Sequence, residues 1–93
     1  MPVLTPTKLE SALAKLPGWT LTNGEIRRRI DFKDFLTAMA FVNHVADLAE
    51  AAQHHPDIDI RWNKVTLALV THDEGGITEK DTRLAKEISA LVD

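Results

Sequence analysis

Three of the four histidines in this 93-residue chain, His54, His55 and His72, fall within a nineteen-residue window. Imidazole has an unperturbed pKa of about 6.5, so it can give or take a proton near neutral pH. The carboxylates Glu50 and Asp81 flank that window. Such a set suits either general acid/base work or a metal. Three histidines and a carboxylate can ligate zinc or iron, but neither His-x-x-x-His nor His-Glu-x-x-His occurs, so no metal ligation is expected. Other chemistries are excluded more firmly. With no cysteine there is no disulfide, no thiolate nucleophile and no zinc-thiolate site. Gly-x-Ser-x-Gly is absent, and the only serines, Ser11 and Ser89, fall in expected helices. Gly75-Gly76 lacks the lysine and the spacing of a phosphate-binding loop.

Each residue taken alone has a plainer reading. His54 and His55 at a helix end would be capping groups, and His72 at a strand end a surface residue. His44, in mid-helix, reads as structural or interfacial. Asp81 would be a capping-box acid, Glu50 a solvated helix residue and Trp62 a core residue. Spacing and composition leave the catalytic and the structural readings level.

The elements that must position these side chains follow from local pattern. Thr7-Lys8-Leu9-Glu10 has the form of a capping box, and Leu9, Leu13 and Leu16 recur at helical spacing until Pro17-Gly18, which predicts a helix over residues 6–16. Trp19-Thr20-Leu21 starts a strand, and Asn23-Gly24 is a hairpin-turn signal because both residues tolerate positive φ. The returning strand carries Ile26, Ile30 and Phe32 on one face. Arg28 interrupts that face, its stem covering apolar surface with the charge in water. The longest helix is expected over residues 34–53, with Phe35, Met39, Val42, Ala46 and Ala49 as its apolar stripe. Pro56 forces His55 out of helical conformation, so the two adjacent imidazoles need not diverge as helix neighbours would. His54 then lies near the helix's negative pole, where a positive charge is stabilised. Ile58, Ile60 and Trp62 alternate with charged residues as a half-buried strand. Lys64 to Thr71 forms the next strand, with Val65, Leu67 and Leu69 on one face. After the loop Asp73-Glu74-Gly75-Gly76, a second capping box, Thr78 to Asp81, opens a final helix that buries Leu84, Ile88 and Leu91. The order α-β-β-α-β-β-α with short links implies an α+β fold: a four-stranded antiparallel sheet with three helices on one face, a single domain over residues 1–93.

Composition limits the partners. A net charge of −3 argues against a nucleic-acid binder, which needs a basic surface; Arg27-Arg28-Arg29 is short and offset by Glu25 and Asp31. No apolar run approaches membrane-spanning length, and the first residues lack the charged and apolar regions of a signal peptide. A cytoplasmic protein is expected. A domain this small buries a limited share of its surface, so self-association would help it.

The run Glu50-x3-His54-His55-Pro56-x5-Trp62-x9-His72-x8-Asp81 resembles the signature of the pterin-4a-carbinolamine dehydratase family. Pro17-Gly18-Trp19 and Phe32-Lys33-Asp34-Phe35 extend the likeness over nearly the whole chain. The resemblance implies a homodimer or homotetramer that dehydrates 4a-hydroxytetrahydropterin to the quinonoid dihydropterin, in the recycling of tetrahydrobiopterin used by aromatic amino acid hydroxylases. It implies no cofactor. By the same resemblance His54 and His72 are the acid/base pair and His55 mainly binds the pterin. Asp81 orients a histidine or touches the ring, Glu50 supports the site, and Pro56 and Trp62 shape it. Animal members also act as dimerisation cofactors of a homeodomain transcription factor, a role for a helical surface, and a non-catalytic pterin-binding role is a further alternative. Two positions depart from the pattern of some relatives: Gln53 stands where they have an acid, and Ile58 where they have an aromatic residue.

Overall fold

The computed structural model describes all residues from Met1 to Asp93. In chain order the elements are α1 (Pro6–Ala14), β1 (Thr20–Thr22), β2 (Glu25–Asp31), α2 (Phe35–Ala52), β3 (Asp57–Arg61), β4 (Lys64–Leu69), a single 3₁₀ turn (His72–Glu74) and α3 (Glu79–Ser89). The strands form one antiparallel sheet in the order β1-β2-β4-β3. The expected architecture is therefore the observed one, with the helices on one face.

The centre of the sheet is the most apolar part of the chain. Ile26 of β2 and Val65, Leu67 and Leu69 of β4 are fully buried and pack against Phe41, Val42 and Val45 of α2 and Leu84, Ala85 and Ile88 of α3. Burying one such leucine or isoleucine contributes about 1.5–3 kcal/mol. The opposite face of the sheet carries Arg27 and Arg29 of β2 and Lys64 and Thr66 of β4, paired across the register at Arg29–Thr66 and flanked by Asp31–Lys64.

Local chemistry explains the turns. Asn23 (φ 51°) and Gly24 (φ 78°) both take left-handed backbone, the geometry of a two-residue hairpin whose twist matches its strands. Trp62 (φ 52°) opens the tight β3–β4 turn, and Asn63 secures it by donating from its side-chain amide to the Phe32 carbonyl at 2.6 Å. Asp34 caps α2, accepting from the Thr37 N–H at 2.8 Å; hydrogen bonding by Thr37 holds this carboxyl below the usual carboxylate range.

Several expectations need correction. The cap of α1 is Thr5, which accepts from the Lys8 N–H at 3.2 Å, and not Thr7. Pro6 takes the first helical position, where a missing N–H costs nothing, so the helix starts at the expected residue with a different cap. The buried stripe of α2 is Ala38, Phe41, Val42, Val45 and Ala49, rotated from the expected one: Phe35 and Ala46 are exposed. The polar residues Asn43, His44, Asp47 and Glu50 are exposed and lie on the opposite side of the helix, which is what sets the buried face. Every residue of β3 is exposed, because β3 is an edge strand paired only with β4. Trp62 is 65% exposed and not a core residue, and Leu91 lies past the end of α3, also exposed.

Arg28 is the remaining surprise. Its guanidinium does not sit in open water: it donates to Ser89 Oγ at 3.0 Å and to both Asp93 oxygens at 2.9 and 2.8 Å. The indole N–H of buried Trp19 donates to the same Ser89 oxygen at 2.8 Å. Together these contacts pin the end of α3 to β2. The Asp93 hydrogen bonds raise the Arg28 pKa further, and the same bonds hold Asp93 below the usual carboxylate range. A side chain at Gly18 would meet the Arg28 guanidinium at 2.9 Å, and the positive φ of 90° also favours glycine.

Candidate active site

The histidines gather where α2, the end of β4 and the start of α3 meet. α2 terminates in a Schellman motif. Gln53 adopts left-handed backbone (φ 52°, ψ 41°), its N–H donates to the Glu50 carbonyl at 3.2 Å, and the His54 N–H donates to the Ala49 carbonyl at 3.1 Å. A non-glycine residue there costs roughly 1 kcal/mol or more. The Gln53 side chain offsets part of this by donating to the Glu50 carbonyl at 2.8 Å. The reversal turns His54 inward toward α3 and leaves His55 outside, followed by Pro56.

The inward side is closed by Asp81. Its side chain is fully buried, and it accepts three hydrogen bonds. Oδ2 takes the Thr78 N–H at 2.9 Å and the Thr71 hydroxyl at 2.8 Å, while Oδ1 lies 2.5 Å from His54 Nε2. Asp81 is thus the acid of the capping box of α3 and the partner of a histidine at the same time. A carboxylate only accepts, so Nε2 of His54 carries the proton of this bond. The ring's other nitrogen, Nδ1, is the one left for chemistry: lone pair when the ring is neutral, N–H when it is charged.

His55 has its own carboxylate. Nε2 lies 2.5 Å from Glu50 Oε2, one helical turn earlier, with both side chains well exposed. His72 opens the 3₁₀ turn that follows Thr71, and it is exposed. This turn is clipped shut by paired bonds between Thr71 and Gly76 at 3.0 and 3.3 Å, and Gly75 supplies its left-handed corner (φ 77°).

An open groove of about 240 Å³ joins the three rings. It is lined by Gln53, His54, His55, Val70, Thr71, His72, Asp73 and Lys80. A larger concavity of about 590 Å³ lies on the open face of the sheet, away from the histidines. Some of its cations and carboxylates neutralise one another, as in the Arg27–Glu25 and Arg61–Asp59 pairs, and no histidine lines it. The three clustered histidines line the smaller groove and not this one. No three histidine, aspartate or glutamate side chains are grouped closely enough to hold a metal ion, and no helix is long and apolar enough to cross a membrane.

The structure thus brings His54, His55, His72, Asp81 and Glu50 into one place, with Pro56 beside them. It does not bring Trp62 there. Trp62 follows the far end of β3, roughly 20 Å from Pro56 at ~3.3 Å per residue. Thr71, Thr78 and Lys80 belong to the site's surroundings, and the sequence assigned them no role there. The one available signal was the Thr78–Asp81 capping box, which brings Thr78 to Asp81.

A four-stranded sheet covered by three helices, with two histidine–carboxylate pairs and a third histidine on one groove, is an α+β scaffold carrying a histidine-rich site. The chain belongs to the family described as pterin 4 alpha carbinolamine dehydratase, whose sequence model matches residues 2–91. It is similar, at 59% identity over 99% of this chain and 100% of the relative, to a protein of Acidobacterium capsulatum that bears the name pterin-4-alpha-carbinolamine dehydratase provisionally. A relative from Thermosynechococcus vestitus, provisionally named in the same way, is 53% identical over 95% of this chain and 93% of its own. Among solved structures, the transcriptional coactivator/pterin dehydratase from Brucella melitensis superposes with a TM-score of 0.94 at 36% identity, covering 98% of this chain and 99% of that one. A pterin dehydratase-like protein described as a RuBisCO assembly factor in the alpha-carboxysome shares the fold, with a TM-score of 0.64 at 23% identity over 78% and 84% of the two chains.

Proposed function

We propose that this protein is a dehydratase that removes water from 4a-hydroxytetrahydropterin, giving the quinonoid dihydropterin. The reading rests above all on the buried Asp81 holding His54 by one ring nitrogen at the floor of a groove shared with His55 and His72. The reaction breaks the C4a–O bond, and the oxygen leaves as water once protonated. The N5–H bond breaks too, its electron pair forming the C4a=N5 double bond. One group must donate a proton and another accept one, and a positioned group of this kind typically contributes roughly 10²–10⁴-fold.

In this scheme His54 and His72 divide the two transfers. His55, steadied by Glu50, binds and orients the pterin, and Pro56 fixes the direction in which the chain leaves His55. Every step is a proton transfer within the reach of imidazole, so no metal, nucleotide or redox group enters it. The substrate arises when an aromatic amino acid hydroxylase consumes tetrahydropterin. On this reading the chain works beside such a hydroxylase in tetrahydrobiopterin recycling, in the cytoplasm.

Self-association belongs to the same proposal. β3 leaves one edge of the sheet unpaired, and Ile58, Ile60 and Trp62 on and beside it are exposed, as are Phe35 and Leu36 of α2. Unpaired edges and apolar surface of this kind are usually covered, as a homodimer or homotetramer would do.

The test is direct. Freshly generated 4a-hydroxytetrahydrobiopterin, followed by absorbance in the presence of a metal chelator, should disappear well above its spontaneous rate when the protein is added, with and without chelator alike. A folded protein that gives no acceleration would move the family's interaction role, carried by a helical surface such as the exposed start of α2, to first place. Acceleration abolished by chelator would instead overturn the metal-free scheme.

A further inference from the structure

We propose that Thr71 is a positioning residue that fixes the orientation of Asp81 against His54 and holds the His72 turn, so that one residue sets the geometry of both transferring histidines. The proposal rests on the reading of His54 and His72 as proton-transfer groups.

The argument is an accounting of protons. The Thr71 hydroxyl, almost wholly buried, has two oxygen neighbours: Thr78 Oγ1 at 2.8 Å and Asp81 Oδ2 at 2.8 Å. A hydroxyl has one proton and a carboxylate has none to give, so Thr71 donates to Asp81. Its contact with Thr78 must then run the other way, with the Thr78 hydroxyl donating to Thr71. Thr78 Oγ1 in turn accepts from the Lys80 N–H at 3.2 Å. The chain Lys80 N–H, Thr78 O–H, Thr71 O–H, Asp81 runs in one direction, and no rotor in it is free. With two donors on Oδ2, Asp81 presents Oδ1 to His54, which must donate from Nε2.

The backbone of Thr71 does separate work. Its carbonyl accepts from Glu74 at 3.1 Å, Gly75 at 3.0 Å and Gly76 at 3.3 Å, and its N–H donates to Gly76 at 3.0 Å. These bonds close the turn that begins at His72. Side chain and backbone of one residue thereby tie the two histidines to a common reference. A threonine kept only for β-propensity or core packing would not need this hydroxyl, and valine would replace it.

Thr71→Val and Thr71→Ser separate the two cases. Valine keeps the shape and removes the hydroxyl; serine restores it. The expected result is a fall in kcat of roughly 10- to 100-fold for Thr71→Val, from misplacement of the reacting groups, with KM little changed and with recovery in Thr71→Ser. Imidazole ¹H and ¹⁵N spectra of the resting protein provide a readout independent of turnover. All three proteins should show His54 with its proton on Nε2, but the ¹H signal of that proton, strongly deshielded by the short bond to Asp81 in wild type and Thr71→Ser, should move upfield or be lost to exchange in Thr71→Val, where the carboxylate is no longer held. An active wild type with kcat and this signal unchanged in Thr71→Val would overturn the positioning role and leave the dehydratase reading intact. If the wild type proved inactive on the pterin, the comparison of this signal would still decide the role of Thr71. Should Thr71→Val fail to fold, the wild-type spectrum alone remains decisive: a proton on Nδ1 of neutral His54 contradicts the chain.

Discussion

Replacing His54 by alanine is expected to lower kcat for pterin dehydration by roughly 10²–10⁴-fold, the range for loss of one positioned acid or base. The expectation rests on the geometry around the ring. Nε2 is committed to Asp81, so the ring turns one nitrogen toward chemistry and cannot rotate without breaking a buried bond. No neighbour replaces it: His55 is held outside by Glu50, and His72 sits on the other wall of the groove. The substitution also leaves Asp81 with an unused oxygen in a buried place, a cost of about 1–3 kcal/mol. Activity should therefore be measured well below the variant's unfolding temperature, with circular dichroism to show that it is folded. A fall in kcat/KM arising only from KM would mean that His54 binds the pterin without moving a proton.

Asp81→Asn should be nearly as damaging for a different reason. Three donors converge on Asp81: the Thr78 N–H, the Thr71 hydroxyl and the His54 ring. An amide has one oxygen and an NH₂ group. The Thr78 N–H is backbone and cannot turn away, so the amide oxygen must stay with it and the NH₂ must face His54. The ring would then have to accept at Nε2, moving its proton to Nδ1 and leaving the neutral ring unable to act as a base. A fall in kcat of roughly 10²–10⁴-fold follows, as expected when an orienting acid forces the wrong tautomer. The mismatch would lower stability by about 1–3 kcal/mol, measurable as a shift in the urea midpoint with unchanged slope. Asp81→Ala removes the same acceptor and the capping interaction together, and should be less stable still. Unimpaired turnover in a folded Asp81→Asn would show that the His54–Asp81 bond serves the fold and not the reaction.

The order of elements was legible because the signals that encode it are local. Asn23-Gly24, Pro56 and the Thr78–Asp81 capping box each act within a few residues, and each sits at a real boundary. What escaped depends on neighbours distant in sequence. Nothing near Trp62 says that its strand will lie at the edge of the sheet, so its exposure came only with the strand order. The buried face of α2 was in fact marked by Asn43, His44, Asp47 and Glu50 on the opposite side, and the expected stripe, started from Phe35, was rotated from it. Arg28 looked like an interruption because its partners, Ser89 and Asp93, lie more than sixty residues away.

The candidate site divides in the same way. His54, His55 and His72 were conspicuous by type and spacing. Thr71 was not, because a threonine at the end of a β-strand is ordinary in every local respect. Its significance appears only where the 3₁₀ turn and the first turn of α3 fold back onto β4. Asp81 was visible as a cap and, through the family signature, as a candidate site acid; that one side chain both caps α3 and bonds to His54 was a matter of three dimensions.

The most direct measurement is the stopped-flow decay of 4a-hydroxytetrahydrobiopterin with wild type and with the folded double variant His54→Ala/His72→Ala, side by side. Acceleration by the wild type and decay at the spontaneous rate with the double variant is the predicted result. A double variant as fast as the wild type would contradict histidine acid/base catalysis in this groove.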